Sequence, residues 1–205
     1  MLLNTIEALK FRYACRTMNS KKKIPEGDLN KILEAGRLSP SSLGLEHWHF
    51  VVEKGNKEKL KNMCMNQKQV GDSSLTIIIL HKKDDLLNPS SKDLEGKIQR
   101  IPVDEEVKGW IYSGYKEFYN KINVDYWSKA QCYLAAGNMM TMGAALGIDS
   151  SPMEGFSEKD ILDHYNIEPS KFGVALVVAF GYRNEEQPIR IRSNLNDLVT
   201  IYEEE

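Results

Sequence analysis

From Ala130 to Ile148 no residue carries a formal charge, and this stretch limits what the chain can fold into more than any other. It is nearly as long as the ~20 residues that cross a bilayer as a helix. Gln131, Asn138 and Thr141 interrupt it, however, and glycine and alanine outnumber leucine and isoleucine. Such a segment suits a central helix over Trp127–Gly147, apolar on all sides and buried in a core or subunit interface. No transmembrane span is expected.

A 205-residue chain with 41% hydrophobic and 27% charged residues can bury a substantial core as a single domain over 1–205. A net charge of −2 gives no broad basic surface for nucleic acid. Cys15, Cys64 and Cys132 are an odd number without CxxC spacing, so neither a disulfide framework nor a zinc site is expected. The N-terminus carries no basic-then-apolar leader pattern, and a cytoplasmic location is the simplest expectation.

Around the central helix the chain alternates helix and strand signals. Asn4 and Glu7 form a capping box for a short amphipathic helix ending near Phe11. Pro25 stands at a first helical position, and Leu29, Ile32, Leu33 and Gly36 give helical periodicity over 26–37. Trp48–Val52 alternates as a strand, and a helix is expected over Lys57–Met65. Leu75–Leu80 and Phe172–Tyr182 read as long buried strands. Residues 81–125 are a variable excursion whose second half, with Trp110, Tyr115, Phe118 and Tyr119, reads as an aromatic-rich helix. Asp149–Phe156 reads as a turn-rich loop, followed by a capped helix after Ser157. This interleaving predicts α/β or α+β with a largely buried sheet.

There is no GxGxxG after a strand and no GxxxxGK[ST], so neither a Rossmann dinucleotide site nor a P-loop is supported. His47 and His49 would share one face of a strand, and no carboxylate cluster makes a metal set of them. Arg12 and Arg16 repel each other unless an anion lies between them or both face water. Arg190 and Arg192 project to one side of an extended chain, again toward an anion or toward solvent. Ser39-Pro-Ser-Ser42 and Pro152-Met-Glu-Gly155 are small-residue turns, plain connectors or places where backbone approaches a flat group. Asn66, Gln67 and Gln69 offer neutral amides. Together these groups match the needs of a flavin mononucleotide: cations for its phosphate, amides for its heterocycle, and bare backbone against its ring.

The ordered set Arg12-x-x-x-Arg16, Ser39-Pro-Ser-Ser42 with Trp48-His-Phe50, Asn66-Gln-x-Gln69, Gln131, Pro152-Met-Glu-Gly155 and Arg190-x-Arg192 resembles the FMN-dependent nitroreductase family over about residues 6–192. The resemblance implies an α+β fold, a central mostly antiparallel sheet flanked by helices, in a domain-exchanged homodimer with an extended C-terminal tail. It implies FMN at the subunit interface. Arg12, Tyr13, Ala14, Arg16, Arg190 and Arg192 match positions around the phosphate and ribityl chain, and Pro40, Ser41 and Ser42 the loop lent by the partner. Asn66, Gln69 and Gln131 match further flavin-binding positions, and Pro152, Met153, Glu154 and Gly155 the loop over the ring, with the Glu154 N–H near N5. Leu43 and Phe118 match a substrate channel.

The implied activity transfers hydride from NAD(P)H through FMN to nitroaromatics, quinones or related acceptors. Alternatives on the same fold are a non-enzymatic flavin-binding or thiol redox-sensing protein, or a flavin reductase or dehalogenase. Cys15 stands where serine or threonine is common, as in the branch linked to metronidazole activation. Flanked by Arg12 and Arg16 it is either a reactive thiol of depressed pKa or a small buried side chain.

Overall fold

The computed structural model describes residues 4–203. Its centre is a pair of strands, β2 (Leu75–Lys82) and β4 (Phe172–Gly181), antiparallel and buried along nearly their whole length. β1 (Trp48–Glu53) pairs with β2 on one side and β3 (Asp149–Met153) with β4 on the other, giving the order β1-β2-β4-β3 with every pair antiparallel. Alternation along β2 separates two cores. Ile77 and Ile79 face a cluster with Leu29, Ile32, Cys132 and Met139, whereas Ile78 and Leu80 face one with Leu60, Cys64, Val70, Ile161 and Leu162. A sheet covered on both faces explains why these strands read as continuous apolar runs.

Helices supply the two covers. α1 (Thr5–Phe11) has the expected Asn4–Glu7 capping box, and α2 (Glu26–Arg37) begins one residue after Pro25, which is its N-cap rather than its first helical residue. Short helices α3 (Glu58–Met63) and α4 (Lys68–Asp72) lie beyond β1, on the face opposite α2. The predicted excursion is largely helical: β2 runs on to Lys82, and α5 (Asp84–Leu87), α6 (Lys92–Gln99) and α7 (Glu105–Tyr119) enclose a core of Leu87, Leu94, Ile98 and Tyr115. α8 (Val124–Ala145) carries most of the uncharged stretch, and α9 (Glu158–His164) follows its Ser157 cap.

α2 packs on α8 so closely that a Cβ at Gly36 would sit 2.8 Å from Met139 Sδ. Two expectations need correction. Asp149–Met153 is a strand, not a loop, because it covers the otherwise unpaired edge of β4. α8 is not buried on all sides: Cys132, Ala135, Ala136 and Met139 enter the core, while Tyr126, Tyr133 and Leu134 are exposed. In the tail, Leu195, Leu198, Val199 and Ile201 are exposed around one turn of 3-10 helix. Among the described residues no helix is long and apolar enough to cross a membrane.

Candidate functional site

The first group of site residues lies where α1 ends. Arg12 caps α1 in an extended conformation, and the chain then runs beside β3, with Ala14 bridging Ser150 in parallel and Cys15 N–H donating to Ser150 O at 3.3 Å. After β4 the chain returns past the same corner. Gln187 Nε2 donates to Lys10 O at 2.9 Å, and Arg190 Nη2 donates to the carbonyls of Lys10 and Arg12. Arg12, Arg190 and Arg192 thereby line one cavity of about 390 Å³ with Tyr13 and Ala14. Burial, then Arg190 and Arg192, hold the Arg12 pKa below its ordinary value. Among the described residues no acidic side chain lies within ion-pair distance of these three arginines. Arg16 stands outside the cavity, exposed, with its backbone N–H on Glu185 Oε1 at 2.8 Å.

Cys15 departs from the reactive-thiol expectation. It is fully buried, its Sγ donates to Thr17 O at 3.3 Å, and burial pushes its pKa up to about 11. Desolvation of the thiolate is the largest cause, and Asp149 and Glu185 add to it.

A second group closes the far end of β3. Pro152 and Met153 are strand residues, and Glu154 and Gly155 follow. Gln67 Nε2 donates to Gly155 O at 3.0 Å, and Gln69 Nε2 to Gln67 Oε1 at 3.0 Å. Gly155 does not adopt a left-handed φ; a Cβ there would lie 3.1 Å from Met65 Sδ, a tight approach to an exposed side chain. Met65 and Asn66 themselves are left-handed, with φ of 56° each, and both side chains are exposed. The Glu154 carboxylate turns to α8 and accepts from Tyr133 OH.

The third group is the loop between α2 and β1. Ser42 N–H donates to Gln131 Oε1 at 3.0 Å, Ser41 Oγ accepts from Glu46 N–H at 3.0 Å, and Asn138 Nδ2 donates to Ser39 Oγ at 2.8 Å. Pro40 is exposed. Leu43, Gly44 and Glu46 all have φ between 50° and 64°, a conformation held by these bonds and by Lys97 and Arg100 on the Glu46 carboxylate. Leu43 and Phe118, the two expected channel residues, do meet: with Ser42, Trp110, Ile111, Gly114 and Tyr115 they line a cavity of about 330 Å³.

His47 and His49 do not share a face. β1 begins only at Trp48, after the turn at Glu46, so His47 is fully buried and His49 is exposed. The His47 ring lies edge-on to Trp127 at 4.4 Å, with Nδ1 3.3 Å from Ser128 Oγ. Burial pushes its pKa down to about 4. Among the described residues no group of three His, Cys, Asp or Glu side chains could hold a metal.

The first two groups are continuous along β3; the third is not with them. β1 and β3 are opposite edges of a four-stranded sheet, roughly 14 Å apart at ordinary strand spacing. α8 separates them as well. Gln131 and Asn138, seven residues apart, hold the serine loop on one flank of α8, while Tyr133 holds Glu154 on another. Three participants were given no role by the sequence reading: Asp149, Arg183 and Tyr133. A charged residue two positions past a buried strand, as Arg183 is past β4, was the one signal that pointed to any of them.

The model of the nitroreductase family matches residues 9–182. A candidate NAD(P)H nitroreductase of Staphylococcus haemolyticus is 37% identical over 209 aligned positions, covering 95% of each chain. Among solved structures, a candidate NAD(P)H:FMN oxidoreductase from Staphylococcus epidermidis superposes with a TM-score of 0.83 at 20% identity, covering 98% of both chains. A candidate nitroreductase from Exiguobacterium sibiricum, solved in complex with FMN, gives 0.80 at 19% identity with 98% of each chain covered.

Proposed function

The chain belongs to the nitroreductase family, and on that premise we propose that it is an FMN-dependent, NAD(P)H-oxidising reductase of nitroaromatic, quinone or related acceptors. The observation that carries the reading is the uncompensated arginine cradle. Three guanidinium groups converge on one cavity with no carboxylate among them, an arrangement whose repulsion a bound dianion relieves. The residues fit FMN in chemistry as well as charge: the cradle continues along β3 into neutral amides at Gln67 and Gln69 and bare backbone at Gly155. Bound there, FMN supplies the redox chemistry, taking reducing equivalents from NAD(P)H and giving them to the acceptor.

The chain's own residues hold and orient. Arg12, Arg190 and Arg192 take the phosphate. Tyr13, Ala14 and Arg16 would flank the ribityl chain and Asn66 and Gln69 border the ring, while Gln131 would reach the site with the Ser42 loop it holds. Pro152–Gly155 lie over its face, with the Glu154 N–H near the reacting edge. No side-chain acid or base is required, which suits a site without a titratable histidine.

The serine loop enters through a second copy of the chain. Pro40, Ser41 and Ser42 lie across α8 from the cradle, and the α8 flank between them exposes Tyr126, Tyr133 and Leu134. A two-fold contact on that flank sets each serine loop beside the other chain's cradle, and the exposed apolar tail has a partner to lie on. Leu43 and Phe118 then border the acceptor. Three free, buried cysteines agree with a cytoplasmic setting. Thiol sensing at Cys15 lacks support, since the group is buried with a raised pKa, and Cys15 alone carries a finer placement in the metronidazole-linked branch. Purified protein is expected to be yellow and to oxidise NAD(P)H when given a nitroaromatic or a quinone. A colourless preparation that also fails to take up added FMN sinks the proposal.

A further inference from the structure

Arg183 differs from the three arginines of the cradle. Its Nε and Nη2 donate to both carboxylate oxygens of Asp149 at 2.6–3.1 Å, Nη2 also donates to Phe11 O at 3.1 Å, and Nη1 to Gln187 Oε1 at 2.9 Å. Its faces are covered too: the Phe11 and Tyr13 rings lie 4.0 and 4.8 Å from Cζ. A guanidinium so engaged has little left to offer a ligand. What it touches is the frame of the cradle. Phe11 O fixes the residue before Arg12, and Asp149, buried at the first position of β3, ties that corner to the sheet. Gln187 reaches Lys10 O and leads into the segment bearing Arg190 and Arg192.

We infer that the Asp149–Arg183 pair is the positioning element of the cradle, setting Arg12 against Arg190 and Arg192 so that all three meet one phosphate. The inference rests on the proposal that the cradle takes the phosphate of FMN. Three like charges do not converge unaided, and a planar fork with bidentate, rigid contacts resists their separation in a way a lysine cannot. The pair acts through its neighbours and is not itself a ligand.

The test compares FMN with riboflavin, which carries the same ring without the phosphate, by quenching of flavin fluorescence on titration into flavin-stripped protein. Arg183→Lys keeps a cation on Asp149 but loses the fork; Gln187→Ala cuts the link to the tail and leaves the Asp149 pair whole. Arg183→Lys is expected to reduce the preference for FMN over riboflavin about 10-fold, by analogy with the loss of other orienting contacts. Gln187→Ala, which removes neutral hydrogen bonds, is expected to reduce it about 3-fold. Riboflavin affinity itself should hold within about 2-fold, since the ring contacts lie elsewhere along β3. An unchanged preference, or equal loss of both ligands, overturns the inference and leaves the phosphate reading standing. A wild-type protein that binds riboflavin as tightly as FMN overturns that reading and the inference with it. Should Arg183→Lys fail to fold, Gln187→Ala decides alone.

Discussion

The loop before β1 and the loop after β3 looked alike in sequence, each a short run of proline, small residues and glycine. The structure separates them. The first is irregular backbone, with Leu43, Gly44 and Glu46 all left-handed, and it is held by side chains of α8 and α6. The second is the end of a strand, with ordinary φ throughout and a glycine that lies close against Met65. One half of the candidate site is therefore built on a sheet edge and the other on a strained loop. The two halves lie on different flanks of one helix, and the proposed dimer is what would bring a loop of the first kind to an edge of the second.

The largest test of that comparison breaks the contact between chains. Leu134 is 47% exposed in the middle of the open flank of α8. Leu134→Arg places a charge where the partner should pack, and is expected to weaken dimerisation by about 4 kcal/mol, roughly 1000-fold. Sedimentation should then show a monomer, and equilibrium dialysis should show FMN affinity lost with it. A monomer that keeps its flavin would mean that the strand edge suffices and that the serine loop belongs to no flavin site.

A second test sharpens the loop side alone. His47 lies beneath the loop, fully buried, with its pKa pushed down to about 4 chiefly by burial. Above the ordinary histidine value of about 6.5 the ring is neutral in both states and stability is unaffected. Below it the unfolded chain binds a proton that the folded chain refuses, so stability falls with pH down to about 4. The full loss is on the order of 3 kcal/mol. His47→Gln should flatten that slope, read as the difference between wild-type and variant urea unfolding at pH 7 and pH 4.5. Parallel slopes would show that the loop does not depend on a neutral ring.

How much of this was legible follows from what each feature rests on. α1, α2, β1, β2 and β4 were readable because caps and periodicity are local: Asn4 with Glu7, Leu29 with Ile32, the run Leu75–Leu80. β3 was not, since Ser150, Ser151 and Pro152 have weak strand propensity and become a strand only because β4 offers them an edge. The α8 pattern hid its exposed flank, because alanine and glycine look the same facing a core or a partner. Of the site residues, the cradle arginines and the Leu43–Phe118 pair did come together in space. Arg16 did not, and the raised pKa of Cys15 was invisible because sequence shows neighbouring charge but not burial.

A smaller effect is expected at Gln131. Its Oε1 accepts from Ser42 N–H, and Gln131→Ala leaves that half-buried donor to water or to nothing, at a cost of about 1–2 kcal/mol in stability. Through the displaced Ser42, FMN affinity should fall by a similar factor, about 10-fold, with the Ser39, Ser41 and Glu46 bonds still in place. Thermal unfolding and flavin titration on one preparation check both. A variant destabilised yet with unchanged FMN affinity would place Ser42 outside the flavin site, even in a dimer.

The smallest effect belongs to the strand side, and its smallness is the point. Tyr133 OH donates to the Glu154 carboxylate, and burial and then that carboxylate raise the tyrosine pKa, so the hydroxyl keeps its proton throughout the ordinary pH range. Both side chains are accessible in the single chain, where water can replace the bond. Glu154 is already placed by β3, whose pairing of Met153 with Val177 ends one residue earlier. Tyr133→Phe should therefore cost less than about 1 kcal/mol in stability and no more than about 3-fold in FMN affinity. Gln131→Ala and Tyr133→Phe each remove an α8 side chain's bond to one loop, so their difference compares what holds each loop. If Tyr133→Phe costs as much as Gln131→Ala, Glu154 depends on α8 rather than on the sheet, and the two halves of the site are built alike after all.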